Sequence, residues 1–167
     1  TMPSMTDLIE GKIPDQLRQI EINDLLDRET VAPNERLLSI AIRGKSVCIT
    51  GAGGSIGAEL ARQALDCGAS TLILFDVSEF ALYSIEQELR SRALEKSSNV
   101  LIVPLLGSVQ DESRLESVFK LFTVHTVLHA AAYKHVPLVE QNVLQGLANN
   151  TFGTYKAALA AQRVGVQ

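Results

Sequence analysis

From Ser46 onward, short apolar runs alternate with stretches in which apolar residues recur at helical spacing. Ser46–Thr50 (S-V-C-I-T) is a β-branched run of the kind that fills a strand covered on both faces. Ser55–Cys67 then carries Ile56, Leu60, Ala61, Ala64 and Leu65 at helical spacing, and Gly68 is a natural helix stop. Thr71–Asp76 predicts a second buried strand, followed by a helix capped by Ser78 with Leu82, Ile85 and Leu89 on one face. The cycle repeats with a strand at Val100–Leu106 and a helix capped by Asp111, whose inner face carries Leu115, Val118, Phe119 and Phe122. A fourth strand is predicted at Thr126–Ala131. A long helical stretch follows Pro137, with an interruption near Gly146 and an end at about Val164-Gly165. Strands separated by helical crossovers imply a parallel sheet with helices on both faces.

Residues 1–45 stand outside this rhythm. They mix polar and apolar positions, with Pro3, Pro14 and Pro33 and one compact amphipathic piece, Ile20–Leu26. The expectation is an N-terminal arm that packs on a domain spanning 46–167 or connects it to something upstream; a free linker is the alternative. Val166-Gln167 falls where a fifth strand should begin. The pattern thus supplies about four or five strands where a doubly wound nucleotide fold usually has six. The sequence reads as a piece of a longer protein.

Composition narrows the function classes. A chain of 167 residues with 46% hydrophobic content is long enough to bury roughly 70% of the surface its unfolded form exposes. A net charge of −4 without a basic run argues against a nucleic-acid or anionic-membrane surface. No secretory leader is visible, so a cytoplasmic setting is expected. Cys48 and Cys67 sit inside predicted elements without metal-ligand spacing, and read as small buried hydrophobes in a reducing compartment. No metal site is expected. Asn149-Asn150-Thr151 matches a glycosylation acceptor by accident on this reading.

The candidate chemistry lies in T-G-A-G-G-S-I-G at 50–57, between a predicted strand and a predicted helix. Unpaired N–H groups at a helix N-terminus, aided by the helix dipole, attract phosphate, and glycine lets a pyrophosphate approach the backbone. Gly51, Gly54 and Gly57 fit G-x-x-G-x-x-G. A triphosphatase loop would need Lys and then Ser or Thr after the last glycine, where Ala58-Glu59 stands. Asp76 follows by about 20 residues, at the end of the second strand, where a carboxylate can accept from an adenosine ribose. Its charge would repel a ribose phosphate, so NAD is expected over NADP. Ala130, Ala131 and Ala132 end the fourth strand and let the backbone come close to a cofactor. Lys134 and His135 follow at the same edge, where the cation would meet substrate or cofactor phosphates; a solvated loop is the alternative.

With these residues in view, the chain resembles the extended short-chain dehydrogenase/reductases. Their T-G-x-x-G-x-x-G stands at 50–57, G-S-V-Q-D at 107–111 occupies the place of G-D-x-x-D, H-A-A-A at 129–132 matches their small-residue motif, and N-T-F-G-T at 150–154 resembles N-V-x-G-T. Four stretches resemble more specifically the bacterial polysaccharide-biosynthesis nucleotide-sugar 4,6-dehydratases: residues 20–31, 51–63, 75–83, and A-A-Y-K-H-V-P-L-V-E-Q-N at 131–142. The resemblance implies a Rossmann-like doubly wound fold and NAD. It implies action on UDP-N-acetylglucosamine by oxidation at C4, loss of water across C5–C6 and return of the hydride to C6. It places Gly51, Gly54, Ser55, Ile56 and Gly57 on the pyrophosphate, Asp76 with Ser78 at the ribose, Ser108 and Val109 near the adenine, and Ala130 to Ala132 along the cofactor. Ser108 departs from the Asp usual in the superfamily, which leaves an uncharged contact there.

The superfamily's Tyr-x-x-x-Lys is not found. Tyr83, Tyr133 and Tyr155 are followed four residues later by Gln87, Pro137 and Leu159, so no catalytic residue is assigned within the chain. Two other readings remain open at this stage: a nucleotide-sugar epimerase on the same scaffold, and an NAD-binding sensor or scaffold without chemistry. A homo-oligomer, and a parent anchored in a membrane with this domain on the cytoplasmic side, are further expectations from the resemblance.

Overall fold

All five residues of β1 (Ser46–Thr50) are buried, which is why that run shows no polar alternation. In the computed structural model, which describes residues 34–166, β1 pairs on one side with β2 (Thr71–Asp76), beyond which lies β3 (Leu101–Leu106). On its other side it pairs with β4 (Thr126–His129). Every pairing is parallel, and the order is β3-β2-β1-β4. The chain therefore winds outward from β1 in one direction and returns to start again on the other side. Such a reversal opens a crevice at the C-terminal ends of the two strands flanking it.

The helices cover both faces. Ahead of β1 runs α1 (Glu35–Ile42), and the strand-to-strand crossovers are α2 (Ser55–Asp66), α3 (Glu79–Glu95) and α4 (Glu112–Leu121). After β4 come α5 (Val136–Gln141), α6 (Val143–Gly146), a π-helical segment at Leu147–Gly153, and α7 (Thr154–Val164). Alternate strand residues feed two cores, as the period of two requires. Val47, Ile49, Leu72 and Leu74 pack with Ile42 of α1, Ala61 and Leu65 of α2, and Leu82, Ile85 and Leu89 of α3. Cys48, Ile73 and Phe75 face the other way, onto Leu115, Val118 and Phe119 of α4 and Ala157 and Ala160 of α7. Each such large side chain contributes about 1.5–3 kcal/mol by leaving water. Burial pushes the Cys48 thiol up to about 12, so it stays protonated and packs as a small hydrophobe. Cys67 is only half-buried, which corrects the expectation that both thiols are enclosed.

The sheet's β3 edge is blunted. Leu101 and Gly107 donate their N–H groups to Ser70 and Asp76 of the neighbouring chain segment, so the backbone groups of residues 102, 104 and 106 point outward. Pro104 has no N–H to offer, Arg90 donates to the Ile102 carbonyl at 3.4 Å, and Arg114 donates to that of Leu106 at 3.2 Å. Proline and cations on an edge discourage pairing with a foreign strand.

Several elements differ from their sequence pattern. Helix α1 begins where Asn34 caps it, its side chain accepting from the Leu37 N–H, and Thr126 donates to the Ala41 carbonyl at 2.6 Å. Residues 1–33, including the Ile20–Leu26 piece, lie outside the described residues. Strand β4 ends at His129 rather than Ala131, because Ala130–Ala132 leave the sheet to pass over Gly51. The helical stretch after Pro137 breaks twice, at Asn142 (φ −132°) and in the π-segment. Ile56 is 69% exposed rather than packed inward.

Candidate functional site

The glycine loop is shaped by contacts that exclude side chains. Gly51 sits at φ +67°, and a Cβ there would fall 2.7 Å from the Ala131 backbone. At Gly57 a Cβ would lie 1.9 Å from the Gly51 carbonyl oxygen, so the first turn of α2 is folded directly onto the loop. Gly54 is the residue capping α2, and no side chain occupies that cap. The helix end thus presents backbone N–H groups and dipole to whatever enters the crevice.

Asp76 stands at the end of β2, half-buried. Its Oδ2 accepts from the Gly53 N–H at 2.8 Å and its Oδ1 from the Ser78 N–H at 2.9 Å. Both carboxylate oxygens are held by the backbone and keep lone pairs for a further donor. The Ser78 hydroxyl caps α3, accepting from Ala81 N–H at 3.4 Å. A cleft of about 280 Å³ is lined by Gly51, Gly54, Asp76, Ser78, Val109, Ala130–Ala132 and the buried Asn149. A second, of about 570 Å³, is lined by Gly54–Gly57, Ala130, Ala132, Lys134 and His135, with Leu138 and Val139 of α5. Gly54, Ala130, Ala132 and Tyr133 border both, so the glycine loop and the chain after β4 form a shared wall.

Ser108 lines neither cleft. Its hydroxyl accepts from the Gln110 N–H at 3.2 Å and its carbonyl from the Asp111 N–H at 3.0 Å, which turns it back on its own loop. That loop is fixed from α7 by Lys156, whose Nζ donates to the Gln110 carbonyl at 2.8 Å. Val109 is buried against Gly153, where a Cβ would meet Val109 at 2.8 Å.

The loop carrying Lys134 is gripped by Asn150 of the π-segment. The Asn150 Oδ1 accepts from the Tyr133 N–H at 2.8 Å, and its Nδ2 donates to the Tyr133 carbonyl at 2.9 Å. Neighbouring Asn149 donates to the same Oδ1 at 3.1 Å and lines the smaller cleft. Lys134 and His135 are both exposed on the larger cleft, and the His135 side chain makes no cap to α5 although it occupies the capping position.

A family model described as "Polysaccharide biosynthesis protein" matches residues 47–167. The chain belongs to the polysaccharide biosynthesis protein family. It is 36% identical over 162 residues to the capsular polysaccharide biosynthesis protein CapD of Staphylococcus aureus, covering 96% of this chain and 26% of CapD. It is 27% identical over 125 residues to a UDP-N-acetylglucosamine 4,6-dehydratase (inverting) of Campylobacter jejuni, covering 74% of this chain and 34% of that protein. Among solved structures, the Bordetella bronchiseptica enzyme WbmG in complex with NAD and UDP superposes with a TM-score of 0.57 at 26% identity, over 72% of this chain and 35% of WbmG. The chain thus spans about a quarter to a third of the length of these relatives.

In this family member the structure brings together Gly51, Gly54, Ser55, Ile56, Gly57, Asp76, Ser78, Val109, Ala130, Ala131 and Ala132 around two adjoining clefts, with Lys134 and His135 on the larger. Sequence reasoning missed Tyr133, Asn149 and Asn150. The signal was a pair of asparagines inside an apolar helical stretch. Asparagine disfavours helix interiors because its carboxamide competes for the backbone, so two in a row mark a place where side-chain bonds replace regular ones.

Proposed function

We propose that the chain is the NAD-binding portion of a nucleotide-sugar 4,6-dehydratase that acts on UDP-N-acetylglucosamine on the cytoplasmic side of the cell. The observation that carries the cofactor half of this reading is the Gly53 N–H bond to Asp76 at 2.8 Å. It joins a side-chain-free helix N-terminus to a fixed carboxylate within one crevice, an arrangement suited to a pyrophosphate and a ribose. A single methyl at Gly57 would meet the Gly51 carbonyl, so the loop keeps this shape only with glycine there. Gly51 and Gly54–Gly57 would hold the pyrophosphate, Asp76 the adenosine ribose, and Ala130–Ala132 the length of the cofactor. NAD, when bound, supplies the hydride acceptor and donor for the sugar. Lys134, exposed on the larger cleft, supplies a cation for substrate phosphates.

The 4,6-dehydratase assignment draws on the likeness to the Campylobacter jejuni enzyme. Within the 167 residues no tyrosine carries a lysine four positions on. The chain alone is therefore expected to turn nothing over, and to bind NAD at best weakly. Calorimetry with NAD and NADP tests the cofactor: NAD should bind at least tenfold more tightly, since Asp76 repels a ribose phosphate, and equal affinities would overturn that choice. Mass spectrometry of UDP-N-acetylglucosamine incubated with the full-length enzyme tests the reaction. Loss of water supports dehydration, whereas an epimer of unchanged mass supports an epimerase. Replacing Lys134 by Ala in that enzyme should weaken turnover markedly, and unchanged kinetics would remove it from the site.

A further inference from the structure

His129, the last residue of β4, has one hydroxyl against each ring nitrogen. The Thr50 Oγ1 lies 2.7 Å from Nδ1, and the Thr154 Oγ1 lies 3.0 Å from Nε2. The hydrogens on these hydroxyls decide the tautomer. Thr154 spends its single hydrogen on the Asn150 carbonyl, 2.7 Å away. A carbonyl can only accept, so Thr154 must accept from the ring, and Nε2 carries a proton. Thr50 is fully buried, and the ring is its side chain's partner. Were Nδ1 also protonated, the Thr50 hydrogen would be enclosed without an acceptor, at a cost of about 1–3 kcal/mol.

Thr50 immediately precedes Gly51. Asn150, whose carbonyl Thr154 holds, grips both main-chain atoms of Tyr133, and Tyr133 immediately precedes Lys134. The covalent route between the two clefts runs through Ala130–Ala132, which have no polar side chain to fix them. We infer that His129 is a positioning residue: as a neutral imidazole protonated on Nε2, it ties the base of the glycine loop to the π-segment and so sets where the Lys134 loop stands relative to the dinucleotide cleft. This assignment rests on reading the two clefts as cofactor and substrate sides. Burial also holds the ring below its ordinary titration range, in keeping with a neutral form.

The test uses the 167-residue chain labelled with nitrogen-15 at its three histidines. Long-range proton–nitrogen correlation at neutral pH should show His129, assigned by its absence in His129→Gln, with an unprotonated Nδ1 and a protonated Nε2. The reverse pattern, or an averaged mixture, would overturn the proposal. Hydrogen exchange of the Tyr133 amide gives the second readout. In His129→Gln the carboxamide reaches the Nε2 position and should keep Tyr133 protection within about twofold of wild type. In His129→Asn it reaches only the Nδ1 position, and protection should fall about tenfold, the loss of one hydrogen bond's worth. Equal losses in the two variants, or none in His129→Asn, would sink the linkage. Calorimetry with NAD separates the two readings. A full-length enzyme that binds no NAD, alongside the expected tautomer in the chain, refutes the cofactor reading and upholds this assignment. A chain that binds NAD with Nδ1 protonated does the opposite.

Discussion

The two walls of the crevice are built by different means. On the β1 side, the loop from Gly51 to Gly57 is made of backbone, and its shape follows from where a Cβ cannot go. On the β4 side, the loop from Ala130 to His135 is irregular, and it is held by side-chain bonds donated and accepted by Asn150, Thr154 and His129. The first wall fails by collision and the second by loss of a partner. Collisions with backbone cost about 1–3 kcal/mol or more and displace the loop itself, whereas lost hydrogen bonds cost about a kilocalorie each and leave the rest standing.

That contrast sets an order of effects. Gly57→Ala should be the most damaging change, because its methyl would meet the Gly51 carbonyl at 1.9 Å with only backbone to give way. A loss of about 3 kcal/mol in denaturant unfolding and abolished NAD binding are expected; wild-type stability would break the claim that this wall is made by exclusion. Asp76→Ala comes next. It removes an acceptor that holds Gly53 and Ser78, and NAD affinity in calorimetry should fall about ten- to a hundredfold, the range for hydrogen bonds to a charged group.

Asn150→Ala tests the opposite wall. Unfolding stability should drop by about 1–2 kcal/mol, with the Tyr133 amide exchanging faster and NAD affinity changed less than by Asp76→Ala. A larger effect on NAD than on Tyr133 exchange would erase the distinction between the walls. The smallest effect is on pH dependence. Burial depresses the His129 pKa below its ordinary 6.5 in the folded chain, so the unfolded chain binds the proton first as pH falls. His129 therefore contributes stability above 6.5 that is lost as pH drops from there through the depressed folded value. Unfolding midpoints of wild type should slope downward in that window, and the slope should flatten in His129→Gln.

How legible each wall was in the sequence follows from the same contrast. A glycine leaves a mark at its own position, so the wall formed by Gly51 and Gly57, with Asp76 at the end of the second strand, could be read from spacing together with the strand and helix on either side. The strand and helix alternation was equally open, since both faces of β1 and β2 are covered and their runs are apolar between polar ends. Asn150 left a mark, as one of two asparagines in a helical stretch. Its grip, however, was not readable, because it needs the π-register of Leu147–Gly153, and nothing local in L-A-N-N-T-F-G distinguishes five-residue from four-residue bonding. Ser108 stands at a motif position that suggested a ligand contact; its hydroxyl accepts from the turn that it helps to form, and it lines neither cleft. Ile56 lies on a helical face by spacing yet is exposed, since the first turn of α2 projects past the sheet into the crevice.

Both of Asn150's bonds to residue 133 go to main-chain atoms. The grip is therefore blind to the side chain it holds. Any residue but proline could stand at 133 or 134 without removing the main-chain atoms that the anchor uses. This separates the frame of the larger cleft from its chemistry. Mutation, natural or designed, can rewrite the side chains that Tyr133, Lys134 and His135 present to the larger cleft while the bonds from Asn150 stay in place.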